Sequence, residues 1–333
     1  MNKYFLGIDT SAYTTSLALI DNKENLLYDL RLPLTVKRGA RGLRQQEAVF
    51  QHLNNFPRLI SKLSKSFPIK HIHTVAVSSK PRNLEESYMP VFIYGRNQGY
   101  ILAQVLGCEF KEFSHQEGHI GAALINNKKV SEQEFFSFHI SGGTTEFLQV
   151  KDGEDNLNIK RIGGTLDISF GQLIDRLGVY LGLDFPCGKK LDELSRRGRL
   201  INLRVPISIK DKFWLNLSGL ENYFVGLVES GQYSNEDISL TLFHSICLIL
   251  SQVINSLHQE LSLNTIILTG GVMANTYIRR NLGIYIGNAS IKLIFPSVDK
   301  CTDNGVGIAY LAKRKIGHKW GWTSETFKGK PGK

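Results

Sequence analysis

Cysteine is scarce in this chain. The four residues, Cys108, Cys187, Cys247 and Cys301, are scattered with no Cys-x-x-Cys spacing. That excludes a disulfide framework and a cysteine-built zinc site, and it points to a reducing compartment, the cytoplasm. Long apolar runs are also lacking. They read as too short to cross a bilayer, and no charged-then-apolar leader precedes the first strand-like run, Tyr4–Asp9. No membrane partner is expected. Acidic side chains number 30 against 40 Lys and Arg, a formal net charge of +10. Such a surface suits nucleic acid, nucleotides or an acidic protein, the plain alternative being a basic enzyme without a polyanion partner. Glycine, in contrast, is plentiful at 31 residues and is paired at Gly142-Gly143, Gly163-Gly164 and Gly270-Gly271. Paired glycines beside strands mean backbone that turns sharply or approaches a ligand closely.

A length of 333 residues, 42% of them hydrophobic, makes two lobes the natural reading. Short strands are predicted at Tyr4–Asp9, Ser16–Ile20 and Leu26–Arg31, then a helix over Gln45–Ser64 that Pro57 should kink or break. A strand at His73–Val77, a helix at Tyr94–Leu106, a strand at Cys108–Phe113 and a helix from His115 follow. The pattern then repeats. Strands at Phe135–Ile140, Glu146–Val150 and Leu157–Ile162 precede helices at Ile168–Leu181 and Ile238–Leu261. A strand at Thr265–Leu268, a helix at Asn275–Leu282, a strand at Ile291–Phe295 and a helix at Asp303–Lys313 complete it. Two β-meanders, each followed by alternating helices and strands, predict an α/β protein of two related lobes facing across a cleft. The division expected is 1–130, 131–320 and a basic tail, 321–333, with Lys328–Lys333 expected to be disordered.

Five segments carry chemistry. Gly7-Ile8-Asp9-Thr10-Ser11 ends the first strand, where Asp9 and Ser11 could position a phosphate or a metal-bound water; an ordinary strand-end turn is the alternative. Ser141-Gly142-Gly143-Thr144-Thr145 joins two strands and offers backbone N–H groups to an anion, or is a glycine hairpin turn. Thr269-Gly270-Gly271-Val272-Met273-Ala274-Asn275 runs from a strand into a helix, with Asn275 as cap, nucleotide contact or both. His115 and His119, four apart, fall on one helix face within reach of one metal. A zinc-protease helix carries Glu directly after the first His as its general base; Gln116 stands there instead, which removes the peptidase chemistry. Asp303, in Cys301-Thr302-Asp303-Asn304-Gly305, is either a helix cap or the missing carboxylate ligand.

In this order the five segments resemble the TsaD family, the tRNA N6-adenosine threonylcarbamoyltransferases once labelled O-sialoglycoprotein endopeptidases. Asp175, the segment ending at Gly188, and Leu217-Ser218-Gly219-Leu220 resemble further family segments. The resemblance implies a two-lobed actin-like ATPase fold (actin, sugar kinase, Hsp70; ribonuclease H-like) with a nucleotide cleft between the lobes. It implies one divalent metal, iron or zinc, on His115, His119 and Asp303. ATP, AMP or an acyl-adenylate would contact Ile140, Ser141, Gly142, Gly143, Thr144, Asp175, Gly188, Asp192 and Asn275. The implied reaction moves a threonylcarbamoyl group from its AMP anhydride to N6 of adenosine 37 in the anticodon loop of tRNA. Implied partners are TsaB-like and TsaE-like proteins, with the Val49/Leu53/Phe56 helix face serving either such a contact or the core.

The chain departs from the family pattern at several places. Tyr13-Thr14 replaces an acidic pair, Thr144 a histidine, Cys187 a glycine, and Lys80-Pro81-Arg82-Asn83-Leu84 a glycine-rich loop. Lys80 and Arg82 there would meet an anion or be solvated. These departures leave two alternatives beside tRNA modification: a carbamoyl-adenylate transferase with another acceptor, and a nucleotide-binding regulatory partner of a true TsaD.

Overall fold

The structure, a computed structural model, describes residues 2–315 apart from 12, 37–42, 84–86, 126, 128–133, 203 and 263. The basic tail 321–333 and Leu84 lie outside the described residues. The first sheet opens as an antiparallel meander of β1 (Tyr4–Asp9), β2 (Thr14–Asp21) and β3 (Leu26–Pro33). The Asp21 carboxylate closes its first turn by accepting from the Lys23 and Asn25 N–H groups. Then β4 (Ile72–Lys80) lies parallel to β1 and β5 (Glu109–Ser114) parallel to β4, giving the order β3-β2-β1-β4-β5. Parallel strands need crossovers, and α1 (Gln45–Ser66) and α2 (Pro90–Leu106) provide them. Next, α3 (His115–Leu124) follows β5 without a loop.

Pro57 does not break α1, which runs through it from Gln45 to Ser66. The carbonyl left without its intrahelical donor belongs to Leu53, whose side chain is 48% exposed, so water can take the place of the missing N–H. Phe56 is buried and Val49 packs against the core, which leaves Leu53 exposed on the face those three residues share. Helix α2 starts four residues earlier than predicted because Pro90 fills its first turn, where an N–H is not needed.

The second sheet repeats the plan. Its meander is β6 (Glu134–Ile140), β7 (Thr145–Asp152) and β8 (Leu157–Thr165). Two short strands, β9 (Ile209–Lys210) and β10 (Trp214–Leu215), extend one edge. On the other side of β6, β11 (Thr265–Thr269) and β12 (Lys292–Ile294) run parallel, for the order β12-β11-β6-β7-β8-β10-β9. The helices are α4 (Phe170–Tyr180), α5 (Gly188–Ser195), α6 (Ser218–Ser230), α7 (Asn235–Leu261), α8 (Thr276–Ile286) and α9 (Val306–Arg314). No element had been predicted where α5 and α6 form.

By length and composition α7 is apolar enough to cross a bilayer, which corrects the expectation from apolar runs. Its most apolar window is 72% buried inside the protein, where Leu242, Phe243, Ile246, Leu250 and Ile254 pack the core beneath the second sheet. Polar residues break the run in sequence but are satisfied within the helix: Thr241 and Ser245 donate to the carbonyls four residues back.

Helix α9 packs on β1, β2 and α3. Two glycines make this approach possible. A Cβ at Gly7 would overlap the Gly305 carbonyl, and one at Gly307 would overlap the Gly118 carbonyl. Strand β1, helix α3 and the segment leading into α9 therefore meet backbone to backbone.

Candidate metal centre and facing loops

Helix α3 is anchored by its own first turn. Ser114 Oγ accepts from the Glu117 N–H, and the Glu117 carboxylate accepts from the Ser114 N–H at 2.7 Å, a capping box. Glu117 also accepts from the Leu157 N–H at 2.9 Å, so this buried acid is occupied by backbone; burial raises its pKa. With the helix held there, His115 and His119 project from one face and their Nε2 atoms lie 3.1 Å apart.

Asp303 arrives from the other end of the sequence. Its Oδ1 is 3.4 Å from His115 Nε2 and 3.7 Å from His119 Nε2. It does not cap α9, because Asn304 Oδ1 accepts the Val306 and Gly307 N–H groups instead. The three ligand atoms lie within 4.8 Å of one another. A tetrahedral ion with ligands at 2.0–2.1 Å sets its ligand atoms about 3.3 Å apart, and the three observed separations straddle that value. Two imidazole nitrogens at this distance also repel unless a proton or a cation lies between them. The residues present therefore fit a divalent cation.

Asp9 sits behind His115 and is 1% exposed. Its Oδ1 is 3.2 Å from His115 Nδ1 and also accepts from Ser78 Oγ, while its Oδ2 accepts from Ser11 Oγ at 2.7 Å. A proton on His115 Nδ1 is thereby held toward Asp9, and Nε2 is turned to the cluster. Burial alone would lower the His115 pKa, but Asp9 and Asp303 raise it to about 10. Burial and the neighbouring His115 lower that of His119. For Asp303, burial works upward, yet the bonds to His115 and His119 hold it well below the usual carboxylate range.

One further imidazole belongs to this environment and was not singled out from the sequence. His139, at the end of β6, has its ring centre 4.8 Å from that of His119, and its Nδ1 lies 3.2 Å from Thr269 Oγ1. Burial, then the two other histidines, push its pKa well down. The signal was present: a histidine amid Phe135, Phe136, Phe138 and Ile140 in a strand buried on both faces needs a reason to be there.

Two glycine loops belong to the second sheet, one of them directly after the strand that carries His139. Between β6 and β7, the Ser141 N–H donates to the Thr144 carbonyl at 2.8 Å and the Thr144 N–H to Ser141 Oγ at 3.2 Å. Gly142 and Gly143 at its tip border open space. Ile140 is buried in the strand below. The second loop crosses beneath the first: Gly270 has φ +93°, and a Cβ there would overlap the Ile140 carbonyl. Asn275 Oδ1 caps α8 through the Ile278 N–H at 2.9 Å, while its Nδ2 is buried with no partner among the described residues.

Asp192 accepts from the Thr276 N–H at 3.0 Å and from Thr276 Oγ1, and pairs with Arg196 at 3.1 Å. Asp175 accepts from the Cys187 N–H at 2.8 Å and from that of Gly188, and burial raises its pKa. Both carboxylates are thus engaged by protein groups, Asp192 beside the start of α8 and Asp175 beneath the turn into α5. Of the two alternatives for Arg82, it is the anion that it meets, and that anion belongs to the protein. Arg82 Nη2 lies 2.9 Å from the buried carboxylate of Glu146 on β7.

Fold and site together define the class. Two meanders, each extended by parallel strands, with a titratable cluster and glycine loops between them, make an actin-like ATPase architecture. Among solved structures the chain is similar to full-length HypF, with a TM-score of 0.58 and 12% identity, covering 95% of this chain and 56% of that one. It is also similar to component A of the Acidaminococcus fermentans (R)-2-hydroxyglutaryl-CoA dehydratase, with a TM-score of 0.55 and 17% identity, covering 94% and 98%. At such identities the likeness concerns the fold alone.

Sequence narrows the class to one family. The tRNA N6-adenosine threonylcarbamoyltransferase family, TsaD, matches residues 35–310, and the chain belongs to it. Relatives bearing that name include one from Sulfurihydrogenibium sp., 28% identical over 323 residues, covering 94% of this chain and 91% of the relative. Another, from Nanoarchaeum equitans, is 29% identical over 308 residues, covering 92% of each.

Proposed function

We propose that this chain transfers a threonylcarbamoyl group from threonylcarbamoyl-AMP to N6 of adenosine 37 in tRNA, with a divalent cation, iron or zinc, held by His115, His119 and Asp303. The observation that carries this reading is the convergence of those three ligands, with Asp9 behind His115, in a member of the TsaD family. When bound, the cation supplies a Lewis acid that polarises the acyl phosphate. Asp9 keeps the proton on His115 Nδ1 and Ser11 steadies Asp9. The Gly142 and Gly143 N–H groups, with Ser141 and Thr144, cradle the phosphate, and Asn275 Nδ2 donates to the nucleotide. Asp175, Gly188 and Asp192 hold the nucleotide side of the cleft in shape. The anhydride carbonyl is already activated and AMP is a competent leaving group, so the adenine amine needs positioning more than a strong base. The surface charge serves to hold tRNA phosphates, in the cytoplasm, with TsaB-like and TsaE-like proteins as partners.

The test supplies preformed threonylcarbamoyl-adenylate and unmodified tRNA to metal-loaded protein, to stripped protein, and to His115→Ala, His119→Ala and Asp303→Ala. Product formation that depends on metal and on all three ligands is expected, with elemental analysis showing the metal lost in each variant. Unchanged metal content in all three variants would overturn the ligand set. A second reading, transfer to another acceptor, is favoured by Arg82 reaching Glu146 where the family has a glycine-rich loop. AMP release without a tRNA product would point to it.

A further inference from the structure

The segment after β4 brings a cationic side chain close to the cluster and fixes it there. The Pro81 carbonyl accepts from the Gln116 N–H at 3.1 Å, which ties the segment to the first turn of α3, next to His115. Arg82 then reaches across to the second sheet, where its Nη2 lies 2.9 Å from Glu146 Oε1. The other oxygen of Glu146 accepts from Gln116 Nε2 at 2.9 Å. Arg161 Nη1 stands 3.4 Å from Oε1, with its guanidinium over the Trp214 ring at 4.7 Å.

Charge counting gives this arrangement a direction. Two guanidiniums share one carboxylate and the fourth member, Gln116, is neutral, so the group carries one positive charge in excess. Glu146 is 3% exposed and is saturated by these partners. The Arg82 side chain is 41% exposed, and its contact with Glu146 uses one nitrogen of a fork that carries five N–H donors. Arg161 is stacked over Trp214 and keeps donors of its own; what sets Arg82 apart is its tie, through the Pro81 carbonyl and the Gln116 N–H, to the helix that carries His115.

Position gives it a ligand. Glu146 and His139 are directly opposed across β6 and β7, so their side chains share a face of the sheet. The His139 ring in turn lies 4.8 Å from that of His119. The surplus charge is therefore beside the metal ligands. A carbamoylated amino acid carries a carboxylate only a few bonds from its carbonyl carbon, whereas a bare carbamoyl group carries none.

We infer that Arg82 binds the carboxylate of the transferred acyl group and selects a carbamoylated amino acid over a bare carbamoyl group, with Glu146 and Gln116 holding the guanidinium in place. The inference rests on the transferase reading above and names the residue that reads its acyl substrate. Guanidinium and carboxylate pair bidentately, and a charge-assisted bond contributes about 1.5–3 kcal/mol net, roughly ten- to a hundredfold in affinity.

Calorimetry on the metal-loaded chain tests this with three probes: a non-hydrolysable threonylcarbamoyl-adenylate analogue, the same analogue with its carboxylate reduced to an alcohol, and AMP. The unaltered protein should bind the carboxylate analogue at least about tenfold more tightly than the alcohol. Arg82→Ala should erase that difference and leave AMP within about twofold, and Arg82→Lys should keep part of it. The double variant Arg82→Gln/Glu146→Gln leaves no buried unpaired carboxylate, so it guards against misfolding, and it too should lose the discrimination. Discrimination that survives in both variants would overturn the inference, as would an equal loss for AMP, which would make Arg82 a phosphate contact. Unaltered protein that binds both acyl analogues equally would defeat the inference alone. Protein that binds AMP but neither acyl analogue would defeat the transferase reading and the inference with it.

Discussion

Replacing Asp9 by Asn changes one charge and almost no volume, so it isolates what the carboxylate does for the metal ligands. In the native chain both Asp9 oxygens accept, one from His115 and Ser78 and the other from Ser11. Asn offers one oxygen and one NH2. If the NH2 faces His115, it opposes a proton on Nδ1 and drives that proton to Nε2, which removes the ligand lone pair. If the oxygen faces His115, the tautomer survives but the carboxylate charge that supports the ring is gone. Loss of such an outer carboxylate typically weakens metal binding about 10- to 100-fold, or roughly 1.4–2.7 kcal/mol. Ser11→Ala removes one neutral donor from Asp9 and should weaken binding less than about tenfold. A competition titration against a chromophoric chelator, on proteins with matched circular dichroism, reads both numbers. Asp9→Asn within twofold of the native affinity, or Ser11→Ala weaker than Asp9→Asn, would refute the placement of Asp9 as the orienting partner of His115.

Gly307→Ala forces a methyl group against the Gly118 carbonyl, and because backbone cannot yield as a flexible side chain does, urea unfolding should show a loss of about 1–3 kcal/mol or more, with metal binding impaired as Asp303 is displaced. Asn275→Asp keeps the oxygen that caps α8 but removes the unpartnered Nδ2 donor, so calorimetry should show AMP binding weakened by roughly tenfold while the melting temperature stays close to native. His52 is fully buried, with Nδ1 2.8 Å from Thr15 Oγ1 and Nε2 3.0 Å from the Ser11 carbonyl, and burial lowers its pKa. A histidine that binds protons more weakly when folded contributes fully above its unfolded pKa of about 6.5, and stability falls as pH drops below that value. Melting temperatures between pH 7.5 and 5 should therefore decline less steeply in His52→Gln than in the native chain; identical slopes would remove His52 from the account.

The duplicated meander was legible because strand alternation and turn residues are local signals, and so was the helical face shared by His115 and His119. Asp303 was a candidate on equal terms with a helix cap; only the neighbouring Asn304, whose oxygen takes both N–H groups, decides between the two. Pairing across the cleft left no local trace. Glu146 reads as an ordinary strand residue and Arg82 as one that meets an anion or is solvated, and their contact exists only once the segment after β4 is brought against β7. His139 was legible in principle, as a polar residue in a strand buried on both sides. Helices α5 and α6 were missed for a different reason: the stretch that holds them is rich in Gly, Lys and Arg, and their short apolar faces are buried by α4, α7 and α8 rather than announced by a long period.

The glycine contacts that press α9 against β1 and α3 also decide when the chain could hold a cation at the proposed centre. Two of the proposed ligands follow directly on the first sheet and the third comes from a segment that follows all twelve strands found among the described residues. A nascent chain still lacking that segment has two imidazoles and no third arm. A cation that bridges α3 to the entry of α9 then closes a very long loop, and it favours only the state in which both sheets and the last helix are already assembled. Under the proposed ligand set, loading would be a readout of completed folding, and a chain that has not yet finished its second half would have no centre with which to begin chemistry.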